Sequence, residues 1–484
     1  MTLRDAFPTV GFGTSGLRAL VVDLTPDVVV AYARAFARHL RAVDVPTGAC
    51  LLGWDLRPSS PAIAAAVAAG LEAEGLRVVV AGPVPTPALA LAALERALPA
   101  VVVTGSHIPF DRNGVKFYLP DGEILKRDEL GIGGIAADEV RMGAPLLAVA
   151  VARWREGLVP DAFDRHVERA YMMRYRALAS PRALRGRRVG VYQHSAVGRD
   201  LLVALLARLG AEVIPLGRSD AFVPVDTEAV SRDDEAMAAR WCAEHGLHAV
   251  VSTDGDGDRP WMCDERGRFI AGDLLGPLTA RWLGVRRLVT PVSSSTVVDR
   301  AGWFDAVTRT RIGSPHVIEA MRALAAEAGG PVAGYEANGG FLLQDPVERD
   351  GATLAPLPTR DAALPIVALL VEAAARGVAL SVLRDDLPPR FTASGRLQEV
   401  DRERVAALLR TLPAAASGWL PAVEGVDRTD GVRMTLVTGE VVHLRASGNA
   451  PEMRVYVEAD GEDAAGRLRD AVVRRAAEAV GGAV

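Results

Sequence analysis

Short apolar, β-branched runs alternate with alanine- and leucine-rich stretches along most of this chain. The runs predict strands at Ala49–Trp54, Arg77–Ala81, Ala100–Thr104, Arg188–Tyr192, Glu212–Pro215, Ala249–Ser252, Arg287–Thr290 and Val332–Tyr335. The stretches between them predict helices at Asp27–Ala42, Pro61–Glu74, Arg199–Leu209, His316–Glu327 and Ala362–Ala375. Continuous apolar runs are typical of parallel strands that are buried on both faces. The pattern therefore predicts doubly wound α/β layers, and its recurrence at roughly one-hundred-residue intervals indicates three related blocks.

The C-terminal part of the chain follows a different pattern. Strands are predicted at Arg396–Glu399, Val432–Val437, Glu440–Leu444 and Met453–Glu458, with helices at Arg402–Thr411 and Ala464–Val480. This arrangement is typical of an antiparallel α+β domain. Glycine, proline and charged residues interrupt the periodicity near residues 142–150, 260–270 and 378–390, where we expect joints between domains.

The length and composition narrow the class of protein. A chain of 484 residues exceeds the roughly 250–300 residues that one core supports, so we expect several domains. With 50% hydrophobic residues and a formal charge of -5, the chain is globular and offers no broad basic surface for nucleic acid or an anionic membrane. Its three cysteines show no metal or disulfide spacing, and no apolar segment predicts secretion or a membrane span. We therefore expect a cytoplasmic location.

Lysine and asparagine are scarce, which draws attention to the places where they occur. The chain has only two lysines, Lys116 and Lys126, and three asparagines, Asn113, Asn338 and Asn449. All three asparagines fall inside the motifs described below. Their retention indicates positions where chemistry requires them, although chance is the simpler alternative.

The first motif follows an apolar strand and contains a serine and a histidine. Ser106 and His107 come directly after the strand that begins at Ala100, and Asn113 and Lys116 lie just downstream. Open α/β sheets bind ligands at the carboxyl ends of their strands. A serine there can be a nucleophile or a phosphoryl carrier that nearby cations activate, and a surface turn is the alternative.

The second motif places three carboxylates at alternate positions. Asp254, Asp256 and Asp258 follow another apolar strand and are separated by glycines, so their oxygens can converge on one hard cation. The spacing resembles the opening of an EF-hand loop, but Arg259 occupies the sixth position, where such a loop requires glycine, and a strand precedes the loop. A solvated acidic turn is the remaining alternative.

Three further segments carry polar groups suited to sugars or phosphates. A flexible turn follows the short strand at Val332–Tyr335 and contains Glu336, Asn338 and Gly339. The carboxylate and the amide of this turn can form hydrogen bonds with sugar hydroxyls. A turn between two later strands offers donors for phosphate, namely Arg445, Ser447, Gly448, Asn449 and Arg454. Arg18 follows small residues near the N-terminus and could approach a phosphate. Ordinary polar turns are the alternative for each segment.

Taken in order, these segments resemble the α-D-phosphohexomutase superfamily over the whole chain, most closely its bacterial phosphomannomutase branch. The most specific matches are TGSHIPFDRNGVKFY, DGDGDR, GYEANGG and HLRASGNAPEMRVYVEA, and shorter ones are GTSGLR, GWDLRPSS and VPTP. Ile108 and the segment Leu357–Asp361 indicate that branch, while Ala19 replaces a usual glycine. A lysine that some relatives use is absent from the loop 311–316, so Arg311 or His316 would take its place.

The resemblance implies the four-domain phosphohexomutase architecture, with three α/β/α domains of mixed sheets and a C-terminal α+β domain around a central cleft. The implied domains are 1–145, 146–262, 263–382 and 383–484. By the same resemblance, Ser106 carries phosphate, and the oxygens of Ser106, Asp254, Asp256 and Asp258 bind Mg²⁺.

The resemblance also assigns roles to the remaining motif residues. Lys116 would accept a proton, with a pKa that neighbouring cations lower. Arg18, His107 and Arg259 would stabilise the transferring phosphoryl group. Glu336, Asn338 and Gly339 would bind sugar hydroxyls, and the turn 445–454 would hold the other phosphate.

The implied reaction interconverts mannose 6-phosphate and mannose 1-phosphate, with a hexose 1,6-bisphosphate as intermediate and activator. The partners would be small hexose phosphates, and the protein would be a monomer or a homodimer. Glucose phosphates are an alternative substrate, since the motifs are suited to the phosphate and the hydroxyls that mannose and glucose phosphates share. Two rival functions are a magnesium-dependent phosphatase with an aspartate nucleophile and a non-catalytic sugar-phosphate binding protein.

Overall fold

The computed structural model describes residues 9–13, 16–46, 48–141, 147–228, 230–327, 329–447 and 451–481. Within these residues the chain forms three mixed sheets and one antiparallel sheet, each packed with helices, and one additional two-stranded ribbon. This arrangement confirms the predicted fold class. Among the described helices, none is both long and apolar enough to cross a membrane.

The first sheet has seven strands, β1 (Gly11–Phe12), β2 (Leu17–Leu20), β3 (Ala49–Trp54), β4 (Arg77–Pro83), β5 (Ala100–Val103), β6 (Arg112–Leu119) and β7 (Gly122–Glu123). Their order is β1-β2-β6-β5-β3-β4, and β7 pairs with β6. The accompanying helices are α1 (Pro26–Ala42), α2 (Ser60–Ala73), α3 (Thr86–Arg96) and α4 (Lys126–Arg141).

The second sheet contains four strands, β8 (Arg188–His194), β9 (Glu212–Arg218), β10 (Ala249–Thr253) and β11 (Pro260–Asp264), in the order β11-β10-β8-β9. The helices that follow the first sheet in the chain are α5 (Ala148–Gly157), which packs on α2 of the first block, α6 (His166–Leu178), α7 (Arg199–Arg208) and α8 (Arg232–His245), of which α7 and α8 pack on the second sheet. Helix α8 begins with a capping box, in which the Ser231 side chain accepts from the backbone of Asp234 and the Asp234 side chain accepts in return.

The third sheet has the order β13-β12-β14-β15-β18, with β12 (Arg287–Pro291), β13 (Ala306–Thr310), β14 (Val332–Tyr335), β15 (Phe341–Leu343) and β18 (Leu357–Asp361). A two-stranded ribbon of β16 (Val347–Arg349) and β17 (Ala352–Leu354) lies between β15 and β18 along the chain. The helices are α9 (Gly272–Leu283), α10 (Val297–Arg300), α11 (Ser314–Ala325), α12 (Ala363–Arg376) and α13 (Leu380–Asp385).

One strand pattern recurs in these three sheets. Three parallel strands lie in the order second, first, third, and a fourth strand pairs antiparallel with the third. The expectation of three related α/β blocks with mixed sheets is therefore confirmed. The fourth strand must be antiparallel because only a short loop precedes it, and a parallel return needs a crossover of about a dozen residues.

The fourth sheet is antiparallel throughout, in the order β19-β23-β22-β21-β20. Its strands are β19 (Phe391–Leu397), β20 (Val423–Asp427), β21 (Val432–Leu436), β22 (Val441–Ala446) and β23 (Met453–Ala459), and its helices are α14 (Arg402–Thr411) and α15 (Glu462–Val480). Strand β19 begins five residues before its predicted start at Arg396, because its outward positions are polar and no apolar run marks it.

Two predicted domain borders fall inside regular elements. The border after residue 262 divides β11, which belongs to the second sheet up to Asp264. The border after residue 382 divides α13. The border after residue 145 lies outside the described residues.

The cores show how the blocks are joined. One apolar cluster runs from Leu51 in the first sheet through Val189 and Leu288 to Leu387, so it links all three α/β blocks. The C-terminal sheet packs its own separate core against α14 and α15. Polar contacts connect that sheet to the third block, as where Glu458 accepts from the backbone of Thr296 at 2.9 Å.

Candidate active site

One cleft brings together predicted site residues from all four sheets. Its walls include the predicted site residues Arg18, His107, Arg259, Glu336, Asn338, Arg445, Ser447 and Arg454. The three loops between the third and fourth strands of the α/β blocks meet here, at residues 104–111, 254–259 and 336–340. The cavity of about 290 Å³ is close to the lower end of the range for small-molecule sites.

Ser106 lies behind His107 of the cleft wall, with its Oγ atom 3.4 Å from His107 Nδ1, and has a strained backbone conformation. Its φ of 55° is in the left-handed region, which non-glycine residues rarely adopt, and the residue is 1% exposed. The Oγ atom donates to Asp254 Oδ2 at 2.5 Å, and the backbone N–H donates to Thr104 Oγ1 at 2.8 Å. The Ser106 loop thus places the serine hydroxyl in hydrogen-bond contact with residues 254–259 of the second sheet, which we call the acidic loop.

Arg57 explains how this loop keeps its shape, and sequence analysis did not identify it. Its guanidinium donates to the carbonyl oxygens of Ser106 (2.9 Å), Ile108 (2.5 Å), Pro109 (2.7 Å) and Arg112 (2.9 Å). A Cβ at Gly105 would lie 2.5 Å from the Arg57 Cζ atom, so glycine is required there.

Asp55 holds the arginine and the loop together. It accepts from Arg57 Nε at 3.2 Å and from Thr104 Oγ1 at 2.7 Å, and it is buried. The sequence does contain a signal for this pair, since Asp55 and Arg57 follow the strand β3 directly. Two opposite charges at the end of a buried strand indicate an ion pair, because buried charges need partners.

The acidic loop brings three buried carboxylates together. One oxygen from each of Asp254, Asp256 and Asp258 lies within 4.8 Å of the others. Asp256 Oδ1 and Asp258 Oδ1 are buried and make no hydrogen bond within the described part of the chain. Burial and the neighbouring Asp256 and Asp258 raise the pKa of Asp254 well above its usual value. This donor set of unpartnered hard oxygens fits a divalent cation such as Mg²⁺.

Lys116 lies between two of these carboxylates, which overturns one expectation about its charge. Its Nζ atom is 2.7 Å from Asp256 Oδ2 and 2.6 Å from Asp258 Oδ2. Burial alone would lower the pKa of Lys116, but the two carboxylates outweigh burial and the net shift is upward. The predicted lowering by neighbouring cations was therefore wrong, and Lys116 is an ammonium in this arrangement.

Arg360 is a second buried cation that sequence analysis did not assign to the site. It donates to Asp258 Oδ2 at 2.9 Å and to Glu336 Oε2 at 2.9 Å, and it lines the cleft. Arg360 therefore connects the acidic loop with residues 336–340, the loop predicted to bind sugar hydroxyls and called the sugar-hydroxyl loop below. It belongs to the segment Leu357–Asp361, which was noted only as a mark of the phosphomannomutase branch.

His107 and two arginines form the cationic wall above Ser106. Arg259 Nη1 lies 2.8 Å from His107 Nδ1, and since arginine only donates, that nitrogen must be unprotonated. Burial, followed by the charges of Arg259 and Arg18, lowers the pKa of His107 to about 2. The neutral ring keeps one N–H donor. Burial, Arg259 and Arg360 lower the pKa of Arg18 to about 10, which leaves it charged near neutral pH.

The sugar-hydroxyl loop is buried in the cleft wall, unlike a solvated polar turn. Glu336 and Asn338 are each 4% exposed. Asn338 Oδ1 accepts from the backbone of Gly340 at 2.9 Å, so its amide nitrogen remains as a donor. Gly339 has a φ of 85°, and a Cβ there would lie 2.8 Å from Pro260 Cγ. The glycine therefore allows the sugar-hydroxyl loop to approach the acidic loop.

The phosphate-binding turn joins β22 and β23 on the opposite side of the cleft. Arg445 and Arg454 face each other in the strand register, and Arg445 Nε lies 3.4 Å from Asp430 Oδ1. Arg454 is exposed and forms no ion pair with any described carboxylate. Gly448 and Asn449 lie outside the described residues, so their predicted roles stay predictions. Arg454 is therefore the open cationic group of this turn, whereas Arg445 is largely buried and paired with Asp430.

The loop 311–316 does not place its candidate residues on the cleft wall. Neither Arg311 nor His316 lines the cavity. Arg311 Nε donates instead to the carbonyl oxygen of Thr429 at 3.2 Å, a contact between the third block and the C-terminal domain. The substitution of either residue for the absent lysine is not supported by this placement.

Comparisons with known proteins agree with this fold. Four domain profiles of the phosphoglucomutase/phosphomannomutase family match, for alpha/beta/alpha domains I (9–139), II (165–267) and III (270–391) and for the C-terminal domain (396–475). A phosphomannomutase of Salmonella muenchen is 41% identical over 96% of this chain and 95% of its own length. A phosphomannomutase of Sinorhizobium fredii is 43% identical over 94% of this chain and 96% of its own.

Solved structures show the same fold. The crystal structure of a putative phosphomannomutase from Thermus thermophilus superposes with a TM-score of 0.74 at 24% identity, covering 96% of this chain and 98% of that one. The fold and the site thus define a four-domain phosphohexomutase. The chain belongs to the phosphoglucomutase/phosphomannomutase family, and it is a mutase of the isomerase class that moves phosphate within a molecule.

Proposed function

We propose that this protein interconverts mannose 6-phosphate and mannose 1-phosphate through a phosphoserine on Ser106 and a hexose 1,6-bisphosphate. The observation that carries the proposal is the Ser106 hydroxyl, which lies 2.5 Å from Asp254 and 3.4 Å from His107, a residue of a cleft lined by arginines. The two relatives named above, both phosphomannomutases, support mannose as the sugar.

In the first half-reaction, a sugar hydroxyl attacks the phosphorus, and the bond between phosphorus and the serine oxygen breaks. Arg18 and Arg259 stabilise the negative charge on the transferring group, and neutral His107 contributes an N–H donor. Lys116, which is an ammonium, gives a proton to the departing serine oxygen and takes the one that the sugar hydroxyl releases. The proton count therefore balances within the site.

Mg²⁺ is proposed to bind Asp254, Asp256 and Asp258 together with the oxygen of Ser106. When bound, the ion would compensate the charge of the phosphoryl group and polarise its oxygens. The proposal rests on the converging carboxylate oxygens and on the two that lack a hydrogen-bond partner in the described chain.

The second half-reaction requires the intermediate to change its orientation. Arg445, Ser447 and Arg454, with the predicted Gly448 and Asn449, hold the phosphate that does not react. Glu336, Asn338 and Gly339 position the sugar ring. The bisphosphate then turns over so that its other phosphate returns to Ser106, which also explains why free bisphosphate would act as an activator.

Coupled assays with mannose 1-phosphate and glucose 1-phosphate test this function. We expect turnover of the mannose substrate with the higher kcat/KM and no release of inorganic phosphate. Preference for glucose would assign the alternative phosphoglucomutase activity. Release of inorganic phosphate without isomerisation would identify a phosphatase, and binding without turnover would identify a sugar-phosphate binding protein.

A further inference from the structure

A loop of the second sheet contributes to the cleft, although no motif marks it. It follows β9 and spans residues 219–228, and its last two residues, Thr227 and Glu228, line the cavity. Glu228 is exposed in the open cleft. The proposed reaction gives this carboxylate no role.

The loop is anchored firmly at its start and in its middle. Arg199 Nη1 donates to the Ser219 carbonyl at 2.6 Å, and the backbone N–H of Val223 donates to Ser195 Oγ at 2.8 Å. Val225 is buried in the apolar cluster of the second sheet. These contacts fix the path of the loop toward the cleft.

Phe222 links the loop to the reacting end of the site. The Arg57 guanidinium lies 4.0 Å above the centre of the Phe222 ring, and a Cβ at Gly255 would lie 3.3 Å from the same ring. Arg57 supports the Ser106 loop, and Gly255 belongs to the acidic loop. The position of residues 219–228 is therefore tied to both loops that surround Ser106.

The end of the loop presents Glu228 as an acceptor without a partner. The Glu228 backbone N–H donates to Asp226 Oδ1 at 2.8 Å, which forms an Asx turn. Its carboxylate makes no hydrogen bond or ion pair with any residue that the structure describes. Enclosure by the cleft walls raises the pKa of Glu228, while the nearby charges of Arg259 and Arg454 lower it. Glu228 thus lies between the acidic loop and the phosphate-binding turn.

Two other carboxylates of the cleft already have partners, and a third, Asp273, is buried in the wall with one oxygen, Oδ1, that accepts no hydrogen bond from the described residues. Glu336 shares one oxygen with Arg360 at 2.9 Å, and Glu458 pairs with Arg390. Asn338 has its carbonyl occupied. A hexose phosphate has several free hydroxyls, and a hydroxyl buried on binding needs an acceptor. The sugar-hydroxyl loop alone supplies few free hydrogen-bond acceptors for these hydroxyls.

We propose that Glu228 is a substrate-recognition residue, which accepts a hydrogen bond from one ring hydroxyl of the bound hexose phosphate. The inference rests on the proposed function, because it takes a hexose phosphate as the ligand. It makes the loop 219–228 an additional substrate-contacting element, on the wall that the second sheet provides.

Calorimetric titration with mannose 1-phosphate and its 2-, 3- and 4-deoxy analogues tests this role without turnover. For Glu228→Ala, we expect the Kd of mannose 1-phosphate to rise roughly tenfold or more, as expected for the loss of a hydrogen bond to a charged group. Glu228→Gln, which keeps an acceptor, should lose less. The control is Asp220→Asn, a carboxylate at the exposed start of the same loop, which should bind as the wild type does.

The deoxy analogues identify the contact. The analogue that lacks the recognised hydroxyl should bind equally to the wild type and to Glu228→Ala, while the other two should keep the difference. If Glu228→Ala binds mannose 1-phosphate within twofold of the wild type, or if every analogue keeps the full difference, the inference is wrong and the proposed function is untouched. If the wild type binds none of these ligands, the proposed function fails and the inference with it.

Discussion

The two ends of the cleft are built in different ways. At the Ser106 end the polar groups are buried and already paired, as where Arg57 donates to four carbonyl oxygens and Lys116 lies between two aspartates. At the opposite end, Arg454 is exposed and has no carboxylate partner among the described residues. The first end lies within the joined α/β blocks, and the second lies on a domain with its own core.

The difference indicates that the Ser106 end positions the reacting groups, whereas the opposite end binds the substrate phosphate. A preorganised, water-poor environment lowers the cost of charge rearrangement during reaction, so changes at the Ser106 end should reduce kcat. Exposed arginines attract phosphate in the ground state and the transition state alike, so changes at the other end should raise KM. Five variants test this comparison.

The largest effect is expected for Ser106→Ala, which removes the proposed phosphoryl carrier. Turnover should fall at least roughly a thousandfold, because the covalent route is lost. Steady-state kinetics of purified protein provide the measurement. Ser381→Ala, which removes a buried serine that donates to Glu265, is the matched control and should retain activity. Substantial turnover by Ser106→Ala would refute the covalent route.

Arg57→Lys should reduce kcat about a hundredfold with little change in KM. A lysine cannot reach four carbonyl oxygens, so the Ser106 loop would shift, and a displacement of about 1 Å is sufficient for such a loss. Arg287→Lys is the control, since Arg287 is also buried and donates to three carbonyls, those of Leu324, Glu327 and Gly330, away from the cleft. An equal loss of kcat in both variants would show only a general packing role.

Asp256→Asn should raise the Mg²⁺ concentration for half-maximal activity ten- to a hundredfold, roughly the loss seen when a ligand environment is disturbed. The amide removes one charge from the proposed cation site. Activity is measured over a magnesium titration, and Asp305→Asn, an exposed carboxylate paired with Arg286, is the control. Full activity of the variant in the presence of chelator would mean that this loop is not the metal site.

Arg454→Ala should raise KM for both the 6-phosphate and the 1-phosphate roughly ten- to a hundredfold, with kcat less affected. A charge-assisted contact to phosphate contributes about 1.5–3 kcal/mol. Arg467→Ala, an exposed arginine on α15, should change neither constant. An effect confined to one direction of the reaction would show that the two half-reactions do not share this phosphate site.

His443→Gln should have the smallest effect on kinetics and a measurable effect on acid stability. Burial lowers the pKa of His443 to about 4, and the unfolded chain binds the proton more readily. The wild type therefore loses stability as the pH falls from 6.5 toward 4, by up to about 3 kcal/mol. Urea unfolding of both proteins at pH 7.5 and 4.5 should show a steeper loss for the wild type. Equal losses would mean that His443 is not buried as a neutral group.

The sequence predicted the loops better than the contacts between them. Ser106, Asp254 and Glu336 each follow an apolar strand, so their position at a sheet edge could be inferred from local pattern. Arg57 and Glu228 could not be assigned in this way, since Arg57 acts on a loop that follows another strand of its own sheet and Glu228 faces loops of other sheets. The direction of the Lys116 pKa shift was wrong for the same reason, because the carboxylates beside it belong to the second sheet.

The phosphate-binding turn shows a different limit. Arg445 and Arg454 could be placed on adjacent strands from the apolar alternation of β22 and β23. The exposure of Arg454 and its lack of a carboxylate partner among the described residues depend on how the C-terminal sheet faces the α/β blocks, which no local pattern encodes.

The central claim, that Ser106 carries the phosphoryl group, is tested most directly by mass spectrometry of the active protein. Protein treated with a hexose 1,6-bisphosphate is digested, and the phosphorylated residue is located by peptide fragmentation. With a radioactively labelled bisphosphate, we predict one labelled phosphoryl group on Ser106, and exchange of this label for unlabelled phosphate when mannose 6-phosphate is added with Mg²⁺. Phosphate on Asp254, or full activity from protein that never carries phosphate on Ser106, would contradict it.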